Sequence, residues 1–132
     1  SNNLLNSLEN KFNRVVLVLS ISFRYNKIEI IDEDFFNQLR FLIFLDLSLN
    51  NLTQLSQNTF SQLNQLKYLN LSQNSIELLY ERHFFYLKNL EILDLSQNRI
   101  RSIEKLTLSN LISLEKLYLD SNGNLFIRKQ LN

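Results

Sequence analysis

Cysteine, proline, methionine and tryptophan are missing from the 132 residues of this chain, and glycine and histidine occur once each. Without cysteine there is no disulfide framework, no zinc finger and no thiol nucleophile. A lone histidine, His83, and a lone glycine, Gly123, leave little room for a histidine-rich metal site or a glycine-rich phosphate loop. Charge is balanced: 14 basic and 13 acidic residues give +1, so composition implies no basic face for nucleic acid. The most apolar run, Val15 to Phe23, falls well short of the roughly 20 residues a membrane-spanning helix needs. The opening stretch SNNLLNSLENKFNR is too polar for a signal peptide. The chain does not begin with methionine and is expected to be a piece of a longer protein.

Leucine and asparagine are in excess, with 30 and 19 copies. They recur with a period of 24. Val18, Leu42, Leu66, Leu90 and Leu114 open successive units; Ile21, Leu45, Leu69, Leu93 and Leu117 follow, then Phe23, Leu47, Leu71, Leu95 and Leu119. Asn26, Asn50, Asn74, Asn98 and Asn122 form the next column, which Asn2 fits one period earlier. Two positions on, the chain is apolar again at Leu4, Ile28, Leu52, Ile76 and Ile100. An apolar pair closes each unit: Phe12 with Val15, Phe36 with Leu39, Phe60 with Leu63, Phe84 with Leu87, Leu108 with Leu111.

The alternation in I-S-F, L-D-L, L-N-L, L-D-L and L-Y-L predicts one very short strand per unit, buried on one face. Strands repeated in the same phase must lie parallel, each returned by a crossover. No unit can bury its apolar side without its neighbours, which makes a quasi-one-dimensional solenoid. The strand side is the narrower one, so the stack should curve with the sheet inside. The asparagine column falls where each strand turns away, and its amides are expected to satisfy buried backbone groups there as a structural ladder.

The pattern LxxLxLxxNxL, seen in LIFLDLSLNNL, LKYLNLSQNSI and LEILDLSQNRI, resembles the leucine-rich repeat. The 24-residue unit and the later FxxL, as in Phe60 to Leu63, are similar to the subclass found in extracellular proteins. Toll-like receptors, small leucine-rich proteoglycans and neuronal adhesion proteins belong to that subclass. The resemblance implies a repeat solenoid of the α/β horseshoe type, with a curved parallel sheet inside and irregular or short-helical return segments outside. It spans residues 1–132 as about five and a half units, with neither end finished and no cysteine-rich cap. The last unit departs from the pattern, with Asn124 at an apolar position and Leu125 one place late.

Chemistry has little to work with. His83 falls on a return segment, where no Ser-His-Asp set can be assembled around it. Asp46 and Asp94 lie two strands apart, about 10 Å at about 4.8 Å per strand, near the wide carboxylate spacing of inverting glycosidases. The stronger reading is that Asp in L-D-L-S is solvated. A calcium site from Asp46, Asn70 and Asp94 would lack the six or more oxygens a hard cation takes. No catalytic residue, metal site or cofactor is therefore expected.

The open strand face is the better candidate. One row along it reads Ser20, Phe44, Tyr68, Ile92, Lys116; a second reads Ser22, Asp46, Asn70, Asp94, Tyr118. A third reads Arg24, Ser48, Ser72, Ser96, Asp120, and a fourth Tyr25, Leu49, Gln73, Gln97, Ser121. The stripe of Phe44, Tyr68 and Ile92, rimmed by polar groups, predicts protein recognition with aromatic anchors. Arg24, Tyr25, Asp46, Asn70, Asp94, Lys116 and Tyr118 complete that candidate face. Tyr80, Phe85 and Tyr86 form a candidate second surface on the return segment, because the other full units carry polar residues there. Arg82 and His83 would be its polar rim. Two sequons, at Asn51 and Asn70, offer glycosylation sites.

The expectation is a recognition module of an extracellular or cell-surface receptor or adhesion protein. Its partner would be a protein ligand or co-receptor rather than nucleic acid, and only other parts of the parent protein would meet a membrane. An intracellular scaffold or regulator is the alternative that the missing cysteines leave open.

Overall fold

The computed structural model describes residues 7–8, 17–123 and 125–127. Asn2, Leu4, Phe12, Val15 and Asn124 lie outside the described residues. The central element is a five-stranded parallel sheet of β2 (Ser20–Ser22), β4 (Phe44–Asp46), β5 (Tyr68–Asn70), β6 (Ile92–Asp94) and β8 (Lys116–Tyr118), in that order. Phe44 pairs with Ser20 and Tyr68, Tyr68 with Ile92, and Ile92 with Lys116, so the 24-residue period is the register of the sheet.

Each strand sits one residue earlier than the alternation implies. The observed triplets are F-L-D, Y-L-N and I-L-D, each centred on one buried leucine. Hydrogen bonding nevertheless runs on past them, with the Leu47, Leu71 and Leu95 amides donating to Asn70, Asp94 and Tyr118 carbonyls, each at 2.8 Å. Those leucines remain in the core although the backbone is already bending away.

Two further parallel pairs flank the array. Strand β1 (Ser7–Leu8) pairs with β3 (Ile30–Ile31), and β7 (Ser102–Ile103) with β9 (Phe126–Ile127). Ser7 pairs with Ile30 and Leu8 with Ile31, each one residue short of the 24 that separate the partners in the other described strand pairs.

The core is the sequence columns made solid. Leu42, Leu45, Leu47, Leu52, Leu63, Leu66, Leu69 and Leu71 are fully enclosed, as are their successors through Ile100. Burying one such side chain contributes about 1.5–3 kcal/mol, so the stack is held mainly by these rows. Phe36, Phe60 and Phe84 fill the outer half, with Phe36 and Phe60 centroids 6.1 Å apart. Ile21, Phe23, Leu117 and Leu119, on the two outermost strands, are only half-buried.

The return segments are tight because FxxL puts two core residues three apart. Phe35, Asn37 and Leu39 donate to the carbonyls of Asp32, Asp34 and Phe36, bonds of the i to i+3 type. The next two returns after Phe60 wind into single helical turns, α1 (Glu81–Phe84) and α2 (Lys105–Leu108).

A candidate binding face on the inner sheet

Each strand leaves the sheet through one repeated turn. Asp46 Oδ1 accepts from the Ser48 amide at 2.9 Å, Asn70 Oδ1 from Ser72 at 2.9 Å, and Asp94 Oδ1 from Ser96 at 3.0 Å. Asx side chains close such turns on the amide two residues on. The next residue, Tyr25, Leu49, Gln73, Gln97 or Ser121, adopts left-handed backbone with φ between 53 and 64°. For a residue with a Cβ this costs about 1–2 kcal/mol.

The asparagine after it ties the turn down. The Oδ1 atoms of Asn50, Asn74, Asn98 and Asn122 accept from the amides of Ile28, Leu52, Ile76 and Ile100 at 3.0–3.1 Å. Their Nδ2 atoms donate back to the carbonyls of Phe23, Leu47, Leu71 and Leu95 at 2.9–3.0 Å. Asn26 donates to Phe23 at 2.8 Å.

This turn corrects the expectation of solvated aspartates. Asp46 is only 9% exposed and its carboxylate is folded onto the backbone. Asp94, half-buried, also accepts from Ser96 Oγ at 2.6 Å. Ser48, Ser72 and Ser96 belong to the turn and are buried, so the third row does not lie open on the face. Arg24 and Tyr25 are exposed, but in the turn beyond β2 rather than on the strand.

What does stand on the sheet is an ordered aromatic pair. Phe44 and Tyr68 are stacked with centroids 4.4 Å apart and planes 5° from parallel. That distance is close to the strand spacing, so neighbouring rings meet face to face without leaving their strands. Ile92 continues the row beyond Tyr68 and Ser20 continues it beyond Phe44, with Lys116 exposed at the far end. Tyr68 Oη accepts from Asn70 Nδ2 at 3.1 Å. Burial pushes the Tyr68 hydroxyl above its ordinary range; the Asn70 bond opposes that shift, while Asp46, Asp94 and Tyr118 reinforce it electrostatically. Tyr118 is 44% exposed. The Tyr68 hydroxyl thus accepts from Asn70 and feels the charge of Asp46 and Asp94 in the same row.

Asn70, a sequon residue, has its amide nitrogen committed to Tyr68; Asn51, the other, is exposed on the outward turn.

On the outer side, Tyr80 is half exposed and its ring stacks on His83 at 5.7 Å. Phe85 and Tyr86 are half-buried, edge to face at 5.0 Å, and with Glu81 and Arg82 line a hollow of about 190 Å³. His83 is not part of a polar rim: it is 2% exposed. Its Nδ1 accepts from the Tyr80 amide at 2.8 Å, which leaves Nε2 to donate to the Leu55 carbonyl at 2.8 Å. Burial lowers its pKa below the ordinary 6.5 despite both backbone bonds. A signal for this was present: His83 shares a column with Phe35, Thr59 and Thr107, all buried.

Among the described residues no group of three or more His, Cys, Asp or Glu could hold a metal ion. No helix among them is long and apolar enough to cross a membrane.

The repeated strand, the asparagine-tied turn and the inward leucine rows define a parallel-strand repeat solenoid. The family model described as Leucine rich repeat matches residues 17–76 and 74–123, and the chain belongs to that family. No curated protein matches it. Among solved structures it is similar to the TLR13–ssRNA13 complex, at 29% identity and a TM-score of 0.71, over 83% of this chain and 18% of that one. It is similar also to glycosylated Toll from Drosophila in complex with Spatzle, at 29% identity and a TM-score of 0.77, over 83% of this chain and 14% of that one. A second Toll–Spatzle structure gives 29% identity and a TM-score of 0.72, over 81% and 14%. The chain therefore spans less than a fifth of the length of those proteins.

Proposed function

We propose that this chain is part of the ligand-binding array of a receptor-type leucine-rich-repeat protein, working outside the cell and binding a protein partner on the inner sheet. The observation that carries the reading is the Phe44–Tyr68 stack. Two large rings held in register on a rigid sheet supply apolar contact area at little conformational cost, as interface anchors do. Support also comes from the likeness to Toll, whose solved complex is with the protein Spatzle. The other similar complex holds ssRNA, and the carboxylates around Tyr68 favour a protein over that anionic alternative. The work asked of the face is non-enzymatic: shape, stacking and charge.

The test replaces Phe44, Tyr68 and Ile92 together by alanine. Binding of the partner should fall by roughly thirtyfold or more per anchor that acts as a hot spot. Replacing the outward Lys88 and Asn89 should leave it unchanged. A triple variant that binds as the parent does would reduce the stripe to strand-forming filler.

A further inference from the structure

We infer that Asn51 carries an N-linked glycan and that Asn70, the residue of the other sequon, stays bare. The inference rests on the reading that this chain works outside the cell, and adds a covalent site and the flank it occupies.

Burial and bonding separate the two acceptors. Asn51-Leu52-Thr53 and Asn70-Leu71-Ser72 both have the Asn-x-Ser/Thr pattern that N-glycosylation requires. Asn51 and Thr53 are exposed, on either side of the enclosed Leu52. The backbone beneath them is pinned: the Asn51 amide donates to the Ile28 carbonyl at 2.9 Å, and the Leu52 amide to Asn74 Oδ1 at 3.0 Å. Among the described residues no hydrogen bond occupies the Asn51 side chain. At Asn70 both ends of the amide are in use. Its Oδ1 accepts from the Ser72 amide at 2.9 Å, its Nδ2 donates to Tyr68 Oη at 3.1 Å, and Ser72 itself is buried. A sugar on that nitrogen would have to open the half-buried Asn70–Tyr68 contact on the sheet. On Asn51 it meets no such contact.

The surroundings of Asn51 suit a hydrated sugar chain. The Ser75 amide donates to the Leu52 carbonyl at 2.8 Å, so segments 27–28, 51–52 and 75–76 run side by side. Asn51 thus lies between Lys27 and Ser75, and Thr53 between Glu29 and Glu77, all polar. On the opposite flank, where the chain enters each strand, Leu17, Leu19, Phe41 and Ile43 are exposed. A glycan on Asn51 therefore covers polar surface and stands away from both that apolar flank and the Phe44–Tyr68 stack. In the transfer, Asn51 Nδ2 attacks the anomeric carbon of the first N-acetylglucosamine of a lipid-pyrophosphate-linked oligosaccharide. The C–N bond forms as the bond from that carbon to the pyrophosphate oxygen breaks. The lipid pyrophosphate leaves with the electron pair, and Nδ2 gives up one proton to the transferase.

The test places the 132-residue chain behind a cleavable secretion signal in eukaryotic cells. Its intact mass is measured before and after peptide N-glycosidase, and peptide mapping finds the asparagine that the enzyme has converted to aspartate. One glycan, at Asn51, is expected. Thr53→Ala changes an exposed residue and leaves Asn51 in place, and should abolish the mass loss. Ser72→Ala keeps the backbone amide that closes the turn, and should leave the mass loss as in the parent. A secreted chain with Asn51 unmodified, or with a glycan on Asn70, would overturn the inference. Chain retained inside the cell is mapped in the same way, and an unmodified Asn51 there overturns it too. Because the signal is supplied, these failures leave the extracellular reading standing. A parent protein that fractionates with the cytosol would instead remove that reading, and the glycan with it.

Discussion

Asn74 and the Leu52 amide are joined across 22 residues by a 3.0 Å hydrogen bond, and the same side chain donates to Leu47, Leu71 and Ser72 carbonyls. One buried amide therefore satisfies backbone groups of three different segments. Asn74→Ala would strand several of them away from water, at about 1–3 kcal/mol for each buried group left unpaired. A loss of at least 3 kcal/mol in urea denaturation is expected. Asn74→Asp keeps the acceptor and loses the donors, so it should lie between parent and alanine. A loss under 1 kcal/mol for Asn74→Ala would mean that the turn closes without its ladder.

His83 predicts a pH dependence of stability. The folded chain holds it neutral, with Nδ1 taken by the Tyr80 amide, and burial keeps its pKa below the ordinary 6.5. The unfolded chain takes up the proton first as pH falls. Stability should therefore be full above pH 6.5 and decline as pH drops from there towards the folded value. The lining of the hollow at His83 includes no charged residue: Gln54, Leu55, Leu78 and Tyr80. Denaturation curves at pH 7.5 and pH 5.0 should diverge for the parent and converge for His83→Gln. Equal divergence in both would assign the effect to carboxylates.

The left-handed residues offer a stabilising change. Gln97 is exposed with φ 53°, a conformation glycine adopts without the Cβ penalty. Gln97→Gly should be neutral to stabilising by up to about 1 kcal/mol, and Gln97→Val destabilising by more than about 1 kcal/mol. Thermal melts of the pair measure both signs; a valine variant as stable as glycine would contradict the backbone assignment.

For the outer aromatics, half-burial sets the scale. Phe85→Ser and Tyr86→Ser each remove a partly exposed ring, so the expected loss is about 1–2 kcal/mol, below the 3–5 of a core phenylalanine. Phe84→Ala, fully enclosed, should reach that upper range. If the outer rings make a second surface, the serine pair abolishes one association while folding holds. A core-sized loss of stability with association intact would sink the second surface.

The leucine and asparagine columns made the sheet, its register and its inner orientation legible, because each column repeats one environment along the stack, relaxed only on the two outermost strands. Legibility ended where one residue type has two uses. Asp46 is an open-face residue by phase, but the Ser48 amide lies two residues on, and the local turn captures the carboxylate. Alternation alone cannot weigh that bond. The chemistry of His83 alone points to a rim, whereas its column, shared with the buried Phe35, Thr59 and Thr107, points to the interior where it lies. The pairing of β7 with β9 involves two residues per strand, too few for any periodicity to show.

The fixed 24-residue register makes the length of this molecule quantised. Excising residues 53–76 would join Leu52 to Glu77 and set Phe44 beside Ile92, with Asn98 taking over the Leu52 amide from Asn74. Every later leucine would still point inward. Removing one residue more or fewer would rotate all the downstream leucines out of phase unless a turn absorbed the difference. Gene duplication and recombination can therefore lengthen or shorten such a protein only in whole steps. Each step would redraw the inner face while leaving the scaffold beneath it unchanged.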